Sequence, residues 1–98
     1  MTTIEVEVTG GVSPIPIKVV IDNINNAEDL SFKWAYSFIE SYALPPGEYL
    51  ITVSGMNPSG GKTKMKISGD FQQDPEPAAS ATIGVDQRFY SKFFYVKI

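Results

Sequence analysis

Apolar and polar residues alternate with period two in nearly every segment of this 98-residue chain, and no other feature restricts the fold as much. Successive side chains of an extended strand point to opposite faces, so an alternating segment buries one face and leaves the other in water. In TIEVEV, Ile4, Val6 and Val8 share one face and Glu5 and Glu7 the other. In KTKMKISG, Met65 and Ile67 oppose Lys62, Lys64, Lys66 and Ser68. In IPIKVVID, Ile15, Ile17, Val19 and Ile21 line up, but Pro14 and Pro16 cannot donate to a ladder, which predicts an edge or a bulge at the start of that strand.

The segment SFKWAYSF fits two readings. As a strand, Phe32, Trp34, Tyr36 and Phe38 oppose Ser31, Lys33, Ala35 and Ser37. As a helix, Phe32, Ala35, Tyr36, Ile39, Tyr42 and Ala43 share a stripe behind capping candidates Asn26 and Asp29. Aromatic residues suit pleated surfaces and the neighbouring segments are strand-like, which favours the strand, with a short helical turn near Glu40 to Ala43 as a variant.

Turn residues punctuate the rest. Pro45, Pro46 and Gly47 read as a type II turn feeding the strand of Tyr49, Ile51 and Val53, and GMNPSGG joins that strand to the lysine-rich one as a hairpin. The polar, Pro-rich DFQQDPEPAA reads as a crossing between sheets, and SATIGV as a short strand. About seven strands separated by turns predict a single domain over residues 1–98: an all-β, immunoglobulin-like, two-sheet antiparallel sandwich. The stretch LPPGEYLITVSG resembles the L-P-x-G-x-Y-x-V-x-V phrase of carboxypeptidase-regulatory-like and transthyretin-like domains, matching at Leu44, Pro45, Gly47, Tyr49, Ile51 and Val53. The resemblance implies a seven-stranded sandwich of a kind that is mostly non-catalytic, serving as an accessory or structural module.

Composition narrows the chemistry. With no His and no Cys, the commonest general base, the thiol nucleophile and the usual transition-metal ligands are missing, so no catalytic residue and no cofactor is expected. Oxygen ligands for calcium exist in two polar groups, Asp70, Asp74, Glu76 and Asp86, and Asp22, Asn23, Asn25, Glu28 and Asp29, but neither has the spacing of a calcium loop, and no metal is expected. A net charge of −3 opposes nucleic acid and anionic membranes. No segment reaches the length of a membrane span, and the N-terminus lacks the pattern of a secretory signal. As written, the chain reads as cytoplasmic, or as part of an exported or assembled structure if a leader has been trimmed.

What remains is contact. RFYSKFFYVKI is apolar on both faces, with Phe89, Phe93 and Tyr95 on one and Tyr90, Phe94, Val96 and Ile98 on the other. Such a strand lies beneath other chain or leaves one face to a partner, which makes Phe89, Phe93 and Tyr95 the candidate contact patch. The row Lys62, Lys64 and Lys66 reads either as a lysine-guarded edge, as a contact for the acidic Glu5 and Glu7 face of another copy, or as pairing across strands within one molecule. The expected function is therefore a non-catalytic module for a protein partner or for self-association. The alternative is a carbohydrate-binding module, with or without calcium, in which Trp34, Tyr36, Tyr42 and Tyr90 stack on a glycan; the competing and favoured reading of Trp34 is that it fills the core.

Overall fold

A computed structural model describes residues 1–98. The chain contains eight strands: β1 (Thr2–Thr9), β2 (Ile17–Asn23), β3 (Asp29–Trp34), β4 (Phe38–Tyr42), β5 (Glu48–Met56), β6 (Lys62–Gly69), β7 (Ser80–Ile83) and β8 (Phe89–Lys97). They form two antiparallel sheets of four strands, ordered β4-β1-β6-β7 and β3-β2-β5-β8, packed as a sandwich. The alternation places Ile4, Val6, Met65, Ile67 and Ile83 on the inner face of the first sheet, and Ile17, Val19, Ile21, Ile51, Val53, Phe94 and Val96 on that of the second. Each is almost fully buried, and burying such a side chain is worth about 1.5–3 kcal/mol.

Connections depart from the sequence reading in several places. β5 and β6 do not form a hairpin: they lie in opposite sheets, so their apolar sets face the same core from opposite sides. Conversely, the polar connection after Gly69 does not carry the chain between sheets, since β6 and β7 are hydrogen-bonded neighbours. It runs out to β8, where the Glu76 amide donates to Tyr95 O (3.0 Å) and the Tyr95 amide to Glu76 O (2.7 Å), and then returns. The stretch 31–43 is neither one strand nor a helix. It breaks at residues 35–37, so that β3 and β4 belong to different sheets, and no helical turn forms at residues 40–43.

β2 is a central strand, flanked by β3 and β5, and it starts only at Ile17. Both prolines precede the ladder, which removes the need for an edge position, and Ile15, at 44% exposure, lies outside the core row. β6 is also central, between β1 and β7, so its lysines guard no edge. Gly47 has φ +156°, well beyond the value near +80° of a type II turn, and it extends the β5–β8 ladder instead. Its amide donates to Ile98 O (3.0 Å) and its carbonyl accepts from the Ile98 amide (2.9 Å). Two residues on, the Tyr49 hydroxyl donates back to Pro45 O (2.7 Å), forming a tyrosine corner.

One end of the sandwich is tied by Asn57, which is completely buried. Its Nδ2 donates to the carbonyls of Ile83 (3.3 Å), Gly84 (3.1 Å) and Gln87 (2.9 Å), and its Oδ1 accepts from the Thr63 hydroxyl. Its backbone amide donates to Arg88 O (2.7 Å), and its carbonyl accepts from Arg88 Nε (3.1 Å). The β5–β6 and β7–β8 connections are thereby held together by a single residue.

Candidate contact surface

Register determines what the outer face of the second sheet displays. Across β3, β2, β5 and β8 one row reads Asp29, Asp22, Leu50, Tyr95; the next Ser31, Val20, Thr52, Phe93; and the next Lys33, Lys18, Ser54, Ser91. Met56 and Phe89 form the last pair. Phe89 is 68% and Phe93 56% exposed, while Val20, Leu50, Met56 and Tyr95 are half-buried beside them. Of the predicted patch, Phe89 and Phe93 thus stand free. Tyr95 is tied down, because its hydroxyl donates to Glu48 Oε1 (2.7 Å), and this bond to a carboxylate raises its pKa.

β8 lies at the edge of its sheet rather than beneath other chain. The reciprocal bonds of Ile98 with Gly47 fix the alternation, so Tyr90, Lys92, Phe94 and Val96 bond to β5 while the amides and carbonyls of Phe89, Ser91, Phe93, Tyr95 and Lys97 point away from it. Glu76 pairs with Tyr95, and the Gln72 amide donates to Lys97 O (2.8 Å). At Phe89, Ser91 and Phe93 no loop supplies a partner, which leaves a short open edge beside the exposed rings.

The face is also charged in an unusual pattern. Lys18 stands directly opposite Lys33, and Asp22 directly opposite Asp29, so both cross-strand charge pairs of the β2–β3 hairpin are like-charged. Like charges facing each other across strands are unfavourable. The effect registers at Asp22, whose pKa is raised from 3.8, chiefly by its hydrogen-bonding contact with Asp29. The lysine pair lines a cleft of about 550 Å³ with Ile15, Pro16, Ser54, Gln87, Phe89 and Ser91 among its walls and no carboxylate in its lining.

The opposite face of the sandwich has the reverse character. Glu5 pairs with Lys66 and Glu7 with Lys64 across β1 and β6, while Lys62 stands opposite Thr9. Of the three readings of the lysine row, its register matches pairing within the molecule.

The four aromatic residues considered for glycan stacking are dispersed. Tyr90, 5% exposed, points into the core against Gly55. Trp34 stacks on Phe38 (ring centroids 4.8 Å apart, 18° between planes) and Tyr42 packs against Phe32 (4.8 Å, 30°). These two pairs close the open side of the sandwich where β3 faces β4, and each uses up a ring face that a sugar would need. Burial also raises the pKa of Tyr42. Tyr36, in the β3–β4 turn, is 70% exposed and stands apart from the other three. No group of three or more acidic residues has an arrangement able to hold a metal ion.

The like-charged pairing of Lys18 with Lys33 was not anticipated from the sequence, where Asp22 and Asp29 entered only as loop oxygens. The signal was available in principle: reading residues 17–34 as a hairpin about the Asn-rich turn pairs Asp22 with Asp29 and Lys18 with Lys33. No family model matches the chain, and neither does any curated protein or solved structure at a significant level.

Proposed function

We propose that this chain is a non-catalytic β-sandwich module for protein–protein contact, working through the outer face of the β3-β2-β5-β8 sheet. The observation that carries the reading is the pair of exposed rings, Phe89 and Phe93, beside an unpaired stretch of the β8 edge. Exposed aromatic residues on a small sandwich cost solubility and supply the anchors from which interfaces are built. An open strand edge adds backbone groups that a partner strand can pair with. The tyrosine corner at Tyr49 supports an immunoglobulin-like kinship for the sandwich, in keeping with the resemblance of LPPGEYLITVSG to accessory domains.

The test is the double variant Phe89→Ser/Phe93→Ser. It should keep the parent's thermal melt, since neither ring is part of the core, and lose the association that the parent shows in sedimentation velocity. A parent that remains monomeric over the whole accessible concentration range, together with a variant of unchanged solubility, overturns the reading.

A further inference from the structure

We infer that the partner is a second copy of this chain, docked face to face through the β3-β2-β5-β8 sheet about a two-fold axis that runs across the strands near Val20. The inference rests on the contact reading above and adds the identity and geometry of the partner.

The two like-charged pairs set the geometry. Lys18/Lys33 and Asp22/Asp29 occupy the same two strands, four residues apart, with Val20 and Ser31 between them. At about 3.3 Å per residue the centres of the pairs are separated by about 13 Å along the strands. Neither pair is neutralised by a cross-strand partner, because on the β5 side Lys18 faces Ser54 and Asp22 faces Leu50. Within one molecule the arrangement is unfavourable twice over. A rotation of 180° about an axis across the strands, midway between the pairs, superimposes lysines on aspartates and aspartates on lysines. Each like-charged pair then faces the opposite pair of the partner, which offsets its repulsion, and each of these contacts is formed twice, as an isologous interface requires. A two-fold axis along the strands gives no such match, so the charges select the orientation.

The row on the axis agrees with that operation. Phe93 lies in the Val20 row, so it meets its own symmetry mate near the axis, where ring-on-ring contact is available. The cleft beside Lys18 and Lys33, whose lining holds no carboxylate, receives the partner's Asp22 and Asp29. Four strands at about 4.8 Å spacing and seven residues at about 3.3 Å span about 19 by 23 Å, or about 900 Å² counted over both copies. This lies below the range of standard stable interfaces, so the dimer is a weak one, with Kd of about 10 μM to 1 mM.

Charge reversal tests the geometry. Lys18→Glu/Lys33→Glu makes both cross-strand pairs of the hairpin acidic, and Asp22→Lys/Asp29→Lys makes both basic. All four positions are at the surface, and circular dichroism with a thermal melt verifies that each variant folds. In sedimentation velocity up to millimolar protein, the parent should dimerise, and more weakly as salt is added. Each variant alone should dimerise at least about tenfold more weakly, since like-charge juxtaposition costs several kcal/mol. An equimolar mixture of the two should form a heterodimer at parental strength or better. A parent that associates equally well in both reversed forms, with no preference in the mixture, overturns the geometry and leaves the contact role of Phe89 and Phe93 standing. A parent that stays monomeric at millimolar concentration overturns the inference outright.

Discussion

The hydroxyl of Tyr90 lies 2.6 Å from the point that a Cβ would occupy on Gly55, its cross-strand partner, and the ring carbon bearing it lies 2.9 Å away. Gly55 faces the core, and the tyrosine ring fills the space its missing side chain leaves. Gly55→Ala therefore forces a buried ring to move and should cost about 1–3 kcal/mol in urea unfolding. The Tyr90 hydroxyl is itself buried without a well-formed hydrogen bond, with only the Thr63 hydroxyl, which donates to Asn57, as a contact. Tyr90→Phe should accordingly change stability by less than about 1 kcal/mol, and it should recover part of the loss when combined with Gly55→Ala.

Asn57→Ala should be among the most damaging single changes in the chain. It removes the donor to three carbonyls and the acceptor of the Thr63 hydroxyl. Gly84 and Gln87 are exposed and their carbonyls regain water, but the Ile83 carbonyl and the Thr63 hydroxyl are left unsatisfied in the interior at about 1–3 kcal/mol each, so a loss of about 2–6 kcal/mol is expected. Native-state hydrogen exchange should show increased opening of β7 and of the loop leading to Arg88 before the centre of β5 is affected.

Tyr49→Phe keeps the ring and deletes the hydroxyl that reaches Pro45 O. The carbonyl sits at the surface and regains water, so the expected cost is about 1 kcal/mol, read as a lower urea midpoint with unchanged slope. Burial raises the pKa of Tyr49, with the nearby Glu28 carboxylate adding to it. The phenol therefore remains protonated, and the corner intact, to higher pH than an exposed tyrosine would allow.

Asp22 sets a signature in acid. Its pKa is raised above 3.8, so the folded chain binds this proton more tightly than the unfolded chain does. The contribution to stability is thus fully present below pH 3.8 and is lost as the pH rises through the raised folded value. Asp22→Asn removes the repulsion with Asp29, and its melting temperature should exceed that of the parent at neutral pH. The difference between the two should shrink on acidification, as thermal melts across the acid range would show. A difference that is constant with pH would mean that the two carboxyl groups do not interact.

Trp34 reports on the closed side of the sandwich. Its ring is stacked on Phe38, so its fluorescence should be insensitive to added glycans. Phe38→Ala should shift the emission to the red as water reaches the indole. A blue shift on adding an oligosaccharide to the parent would instead show that the ring is open to a ligand.

Strand content and the buried set were legible in the amino-acid order, because period-two alternation follows from the pleat and needs no knowledge of neighbours. Alternation puts Ile4, Val6, Met65, Ile67, Ile17, Val19 and Ile21 on the apolar faces of their strands and all are buried, while Val8 and Ile15, at the ends of the same rows, are not. The exposed faces of Phe89 and Phe93 followed from the same rule. Sheet membership was not legible. Alternation is identical whether β5 pairs with β6 or packs above it, because either arrangement turns both apolar faces to one core. The break at residues 35–37 is of the same kind, since aromatic residues on both sides satisfy either reading until β3 and β4 are drawn to opposite sheets. The charge pattern of the contact face was decided later still: Lys18 and Asp22 are ordinary surface residues until register places Lys33 and Asp29 opposite them. Local order determines which way a side chain points, and only the folded chain determines what it meets there.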